Sequence, residues 1–393
     1  MNLLAISTQG HAEKALEASP FTTHPTEIEK RFRARLRLRA GVAVENLARS
    51  IRDCDIAFIM TSWADSPDEV ADALAAARDE RSAPRIVFVD WFDQTSSPFL
   101  GVLPHVDLYA KRQVLAHREW YYEPLSGGYA FTDFLHRELG LPLDDWNFGA
   151  PATSADIHKI VPGWNFGSAP AYRRMLRVCS LTPRPWKLRS IDIHARFSPP
   201  SDASQWYAWY RRSAAALLTP LHDDLRVTQS GRVPRAQYLR ELWQSKLAFS
   251  PFGWGEVCFR DFEAACFGCA LVKPAMSHLV TSPDLYIPYE TYIPVRWDLA
   301  DLERTMRTYI ARPDECRRIA RNARERFRDY FRAGGVLSDM GRIMGQLDKP
   351  PVPRQHAATP PMPWRGPGVE ARDHGKGLRS FVPAAAEVSS QTR

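Results

Sequence analysis

Short apolar runs separated by helix-length stretches recur along this 393-residue chain, and that alternation limits the fold more than any other feature. "NLLAIST" (2–8), "IAFIMTSW" (56–63) and "RIVFVDWF" (85–92) each read as a strand. Between the first two, "TEIEKRFRARLRLRAGVAVENLARSIRD" opens with Thr26 and Glu29 at capping-box spacing. Its Phe32, Leu36, Leu47 and Ile51 fall near one helical face, which predicts a helix. "SPDEVADALAAARDE" predicts another, with Ser66 as cap and Pro67 at the first position. Strands separated by helices imply a parallel sheet with helices on its faces.

The pattern fades from about Asn147 to Arg189, where Gly, Pro and Ser accumulate, and then resumes. "SIDIHARF" and "LRVTQSGRV" read as strands, the latter running into a loop; "LAFSPFG" and "CALVKP" also read as strands. "DASQWYAWYRRSAAALLTPL", "PRAQYLRELWQSK" and two late segments, "DLADLERTMRTYIARP" and "DECRRIARNARERFRDYF", read as helices. The expected fold class is α/β with two doubly wound units facing a cleft. The expected boundaries are 1–165 for the first unit, 166–189 for a linker and 190–332 for the second unit. A closing helical segment (333–349) and a disordered Pro-rich tail (350–393) follow, and the helices around Asp314–Phe331 are expected to brace the first unit.

Composition is that of an ordinary globular protein, 45% hydrophobic and 25% charged, so the chain can bury two cores without staples. The net charge of +7 admits polyanions or acidic membrane surfaces as partners, and the run Arg31–Arg39 is a candidate basic face, though a solvated face is the plainer reading. No DNA- or RNA-binding module is evident, so no nucleic-acid partner is expected. Six cysteines lack a disulfide framework, no secretory signal opens the chain, and no apolar run approaches the ~20 residues that span a bilayer. A cytoplasmic setting is expected.

The stretch richest in chemistry is "SPFGWGEVCFRDFEAACFGCALVKP", Ser250–Pro274. A strand ends in a turn where Gly253 and Gly255 flank Trp254. A helix then runs from about Val257 to Phe267, Gly268 takes the left-handed C′ position, and a strand follows. Arg260 in the first turn opposes the helix dipole unless an anion lies there. A diphosphate would satisfy the free N–H groups, the dipole and Arg260 together. Glu263 could then accept from ribose hydroxyls; the plain alternative is an Arg260–Glu263 pair at i,i+3, worth ~0.2–0.5 kcal/mol.

"GWGEVCFRDFEAACFGCALVKP", with "YLRELWQSKLAFSP" before it, resembles the nucleotide-sugar signature of GT-B glycosyltransferases of the exostosin-like and family-1-like kinds. The matching positions are Gly255, Arg260, Glu263, Ala264 and Gly268, and the likeness extends loosely over 190–330. Where many members have two glutamates separated by seven residues, this chain has Gly255, and Glu256 stands one place away. The resemblance implies two Rossmann-like domains, with a UDP- or GDP-sugar donor on the second and a carbohydrate or lipid-linked acceptor on the first. A GT-B epimerase and an inactive glycan- or nucleotide-binding scaffold are the alternatives.

Arg196, at the end of "SIDIHAR", is a candidate for the diphosphate, and the loop Gly231, Arg232 and Val233 for the nucleobase. Gly253, Gly255, Glu256, Arg260 and Glu263 complete the expected donor set. An inverting transfer needs a base, for which His11, Asp90 and Asp93 are candidates; a retaining one needs none. Cys258, Cys266 and Cys269 with His278 could suggest zinc, but thiols amid Phe and Ala read as core. Without an Asp-x-Asp in a suitable loop, no metal or other cofactor is expected, and arginines and a helix dipole would neutralise the leaving group.

Overall fold

The alternation folds as expected into two parallel sheets. The computed structural model describes residues 1–9, 14–78, 83–143, 145–198, 206–348 and 362, apart from the side chains of residues 14 and 15. In the first unit β1 (Asn2–Thr8), β2 (Arg35–Val42), β3 (Ile56–Met60), β4 (Arg85–Asp90) and β5 (Leu108–Lys111) precede a short β6 (Gln113–Leu115) and β7 (Ile160–Pro162). Six of them form a sheet in the order β2-β1-β3-β4-β5-β7, with every pairing parallel. The central strands are buried on both faces, as their unbroken apolar runs require.

The second unit contains β8 (Ile191–His194), β9 (Ser245–Phe249), β10 (Ala270–Pro274), β11 (Leu279–Thr281) and β12 (Ile293–Val295). Four of these form a parallel sheet in the order β12-β10-β9-β8. Val227 makes an isolated parallel bridge to Ile193 of β8, so "LRVTQ" occupies the place of a second strand outside it. Counted with that bridge, the sheet runs second-first-third-fourth-fifth in sequence order, as the first sheet does. In both, the order reverses between the first and third strands, where an open α/β sheet holds its ligand.

The α-helices of eight or more residues among the described residues are α1 (Pro25–Phe32), α2 (Pro67–Arg78), α3 (Ala130–Leu139), α4 (Pro170–Leu181), α5 (Trp206–Ala216), α6 (Arg235–Gln244), α7 (Phe259–Phe267), α8 (Leu302–Ile310), α9 (Pro313–Arg332) and α10 (Val336–Leu347). Ser66 caps α2 as expected, accepting from the Glu69 N–H at 3.4 Å. The single helix expected over 26–53 is a correction. It is the short α1, ended by Arg33 at φ 48°, then the edge strand β2 and a last helical turn over Leu47–Ser50. Glu29 does not cap; its carboxylate accepts from Leu36 N–H, the entry to β2. Arg35, Arg37 and Arg39 alternate with Leu36 and Leu38, the period of a strand rather than a helix.

The expected linker 166–189 is also corrected in part, because α4 lies inside it and packs on α7 and α9 of the second unit. The expected brace is α10 rather than Asp314–Phe331: α9 stays against α7, while α10 packs on β5 and its Leu347 carbonyl accepts from Arg85. The Pro-rich tail lies outside the described residues except for Met362.

The two units are tightly joined. β6 of the first pairs antiparallel with β11 of the second. Phe131 of α3 enters an aromatic cluster of the second unit, with ring centroids 4.7 Å from Tyr210 and 4.8 Å from Phe252. Glu256, fully buried, accepts from Gln113 at 2.8 Å and Thr95 at 3.3 Å, with His278 3.6 Å away.

Candidate functional site

The end of β8 and the end of β9 flank the point where strand order reverses in the second sheet, and α7 begins beside them. α7 starts at Phe259 and ends where expected: Gly268 is left-handed at φ 67°, and its N–H donates to the Ala264 and Ala265 carbonyls. Asp261 secures the start, accepting from the Cys258 N–H at 2.9 Å. It pairs with Lys273 of β10 at 3.2 Å, both fully buried. That carboxylate, next to Arg260 in the same first turn, offsets the cation there.

Arg260 does not pair with Glu263. Its guanidinium spans the reversal point, donating to the Arg196 carbonyl at 2.5 Å and to Ser250 Oγ at 3.4 Å, while its buried Nε has no partner. Glu263 instead accepts from Tyr238 OH at 2.6 Å and pairs with Arg235 at 2.7 Å. The intrahelical pair is therefore not what places Arg260.

Two adjoining hollows of about 660 and 840 Å³ open here, sharing Arg211, Arg235, Tyr238, Trp254 and Arg260. The larger reaches Arg196, Gly231, Arg232 and Val233; the smaller reaches Glu263, Gly253, Gly255 and, from the first unit, Asp93. Among the described residues, none of Arg211, Arg232 and Arg260 has a carboxylate partner. Burial lowers the Arg211 pKa from its usual value, and Arg260 and Arg232 push it the same way. Cations gathered without counter-charges form a site for an anion.

The other expected residues sort by position. Arg196 lines the cleft, but its fork is held by Glu241 at 2.7 and 2.9 Å. Gly253 leaves room for Arg211, whose Nη2 lies 2.3 Å from where a Cβ would stand. Gly255 serves the contact between units, a Cβ there falling 1.9 Å from the Asp93 carbonyl oxygen. Glu256 is corrected from donor ligand to buried bridge between the units. Asp90 is corrected as well: it is fully buried, bound by Lys111 at 3.0 Å and Tyr109 OH at 2.6 Å, and cannot reach an acceptor. Asp93 remains at the cleft, its carboxylate held by Arg112. His11 lies outside the described residues.

Sequence reasoning missed Arg211, Arg235 and Tyr238. The last two occupy the first turn of α6, at i,i+3 as Arg260 and Glu263 are in α7. Cys266 and Cys269 are buried free thiols, and Cys269 donates to the Leu242 carbonyl at 3.1 Å. Among the described residues, no group of three or more His, Cys, Asp or Glu side chains is placed to hold a metal ion.

His194, at the end of β8, is fully buried and neither ring nitrogen has a partner. Burial, with Arg260 adding to it, lowers its pKa from 6.5 to about 3. The unfolded chain therefore takes up a proton that the folded one refuses, and the associated stability is lost as pH falls from 6.5 towards 3. We expect His194→Phe to remove about 2 kcal/mol of the stability loss between pH 6.5 and 5, measured by urea denaturation at each pH. Parallel pH profiles for variant and parent would show that His194 is not the group responsible.

A family model described as "Glycosyl transferase-like" matches residues 183–339, which cover the second unit and the start of α10. No curated protein matches. Among solved structures, a glycosyltransferase from Rickettsia africae is 11% identical, with 88% of this chain and 99% of that one covered at a TM-score of 0.48. An α,α-trehalose-phosphate synthase (UDP-forming) from Burkholderia xenovorans, in complex with glucose-6-phosphate, is 11% identical over 88% of this chain and all of that one, at 0.46. An alpha-glucosyltransferase in complex with UDP and a 13-mer DNA is 9% identical over 88% and 100%, at 0.44. Two parallel α/β units thus face a cleft, and the second of them, with the start of α10, is similar to the glycosyl transferase-like family.

Proposed function

We propose that the protein transfers a sugar from a nucleoside diphosphate donor, of the UDP or GDP kind, to a carbohydrate or lipid-linked acceptor. The observation that carries this reading is the convergence of Arg211, Arg232 and Arg260, without carboxylate partners, on the reversal point beside the start of α7. A departing diphosphate would be met there by guanidinium groups and by the helix dipole, which do in a partly enclosed cleft what a metal ion does elsewhere. Glu263 would hold the ribose hydroxyls, with the half-exposed Arg235 swinging aside. The Gly231–Val233 loop lines the larger hollow and would cradle the nucleobase. Asp93 faces the smaller hollow from the acceptor unit and would take the hydroxyl proton in an inverting transfer. No observation favours an epimerase.

Calorimetric titration with UDP, GDP and ADP tests the reading. One of them should bind, and Arg260→Ala should weaken it by about 10- to 100-fold, the scale of a hydrogen bond to a charged group. Glu263→Ala should remove the preference for UDP or GDP over the corresponding 2′,3′-dideoxynucleotide. Unaltered affinity in the Arg260 variant would refute the donor site. Binding without transfer to any sugar acceptor would leave a nucleotide-binding module.

A further inference from the structure

Helix α4 and the loop after it carry charge of one sign and apolar side chains turned to solvent. Residues 170–188, "PAYRRMLRVCSLTPRPWKL", contain five basic residues (Arg173, Arg174, Arg177, Arg184 and Lys187) and no acidic one. Val178, Leu181 and Leu188 are 59%, 76% and 60% exposed. A globular surface normally covers such residues or scatters them singly. Here they lie along one short segment and beside an apolar groove of about 580 Å³ between α4 and α6, lined by Met175, Val178, Leu239, Trp243 and Phe267. Arg174 and Arg240 border that groove.

The segment is built to hold this form. Trp243 donates from its indole N–H to the Thr182 carbonyl at 3.1 Å. Arg184 lies over the Trp243 ring at 4.6 Å and donates to the Leu188 carbonyl at 2.9 Å, fixing the turn that presents Leu181 and Leu188. The side chains that reach α4 from α9 are also cationic: Arg324 donates to the Cys179 carbonyl and Arg328 to Ser180 Oγ. Among the described residues Arg173, Arg174, Arg177, Arg184 and Lys187 form no ion pair, and no helix is long and apolar enough to cross a membrane.

We infer that this face docks on the surface of a bilayer containing anionic phospholipid, with Val178, Leu181 and Leu188 entering the headgroup region and the arginines meeting lipid phosphates. An amphipathic helix with apolar residues beside arginines binds an interface by these two terms together. Ala171 and Met175 line both this groove and the proposed donor cleft. Docking here brings the mouth of the cleft to the lipid surface, within reach of a lipid-linked acceptor. The inference does not depend on the donor reading, because lipid binding is measured without nucleotide. It also relocates the basic face expected at Arg31–Arg39, whose strand β2 has neither the groove nor a cluster of exposed apolar residues.

Co-flotation of the full chain with vesicles tests it. Binding is expected to phosphatidylglycerol mixed with phosphatidylcholine, and not to phosphatidylcholine alone, and to fall as salt is raised. Val178→Glu/Leu181→Glu and, separately, Arg174→Glu/Arg177→Glu should each weaken it by about tenfold or more, with melting temperature and nucleotide affinity unchanged. Arg35→Glu/Arg39→Glu should bind as the parent does. Three results would overturn the inference: no binding to the anionic vesicles, loss only in the β2 variant, or a lipid-free dimer that Val178→Glu/Leu181→Glu dissociates.

Discussion

Asp90→Ala is expected to destabilise the fold by about 3–5 kcal/mol, the cost of stranding a buried charge. Asp90 and Lys111 are both fully buried and 3.0 Å apart. Tyr109 donates to the same carboxylate at 2.6 Å and the Phe92 N–H at 3.1 Å, so its hydrogen-bonding capacity is used within the first sheet. Burial already lowers the Lys111 pKa, with Asp90 opposing the shift. Without Asp90 the lysine can release its proton in the folded state alone, so the variant should be less destabilised at pH 9 than at pH 7, since the unfolded state then binds more protons. Asp90→Asn/Lys111→Met should recover much of the loss, because an apolar replacement needs no counter-charge. Urea midpoints decide the matter. A variant as stable as the parent but without turnover would return Asp90 to the role of base that its place at a strand end suggested.

That example marks where the sequence was legible. The strand-helix alternation could be read because buried parallel strands are continuous apolar runs and helices carry caps. β1, β3, β4, β8 and β10 all fall inside the runs that announced them, and β9 begins two residues before its run, at Ser245. The left-handed Gly268 was legible for the same local reason. β5, β6, β7, β11 and β12, each of three or four residues, were not, although β8, of four, was. β2 was missed because arginines hid its alternation under a helix-like charge run. The site was half legible. Arg260 and Glu263 were found from their spacing in one helix, but their partners come from elsewhere: Arg196 and Ser250 for one, Arg235 and Tyr238 for the other. A strand-end carboxylate such as Asp90 looks the same in sequence whether it faces a cleft or a buried lysine. Only the pairing of β4 with β5, which sets Asp90 opposite Lys111, separates the two.

Asp261→Ala is expected to cost a similar ~3–5 kcal/mol and, unlike Asp90→Ala, to weaken nucleotide binding as well. One carboxylate oxygen of Asp261 accepts from the Cys258 N–H at 2.9 Å and Tyr286 OH at 2.7 Å, with Lys273 Nζ at 3.2 Å. Lys273 also donates to the Ser250 carbonyl at 3.4 Å and lies 5.2 Å from the Phe252 ring centroid. Ser250 in turn accepts from Arg260. The carboxylate thus ties the first turn of α7 to the end of β9 and to β10, and Arg260 is positioned through that tie. Removing it frees the helix start, strands the buried ammonium and lets the Ser250 loop shift beneath Arg260. Asp261→Asn keeps an oxygen for Cys258 and Tyr286 but loses the charge, so it should fall between the parent and the alanine variant in stability. Adding Lys273→Met to the asparagine variant removes the stranded charge and should restore much of the stability. Nucleotide affinity should recover less, because the Lys273 contact to Ser250 is then gone. If the double variant regained stability and full affinity together, Asp261 would matter only for folding, and the placement of Arg260 would rest on the Arg196 carbonyl alone.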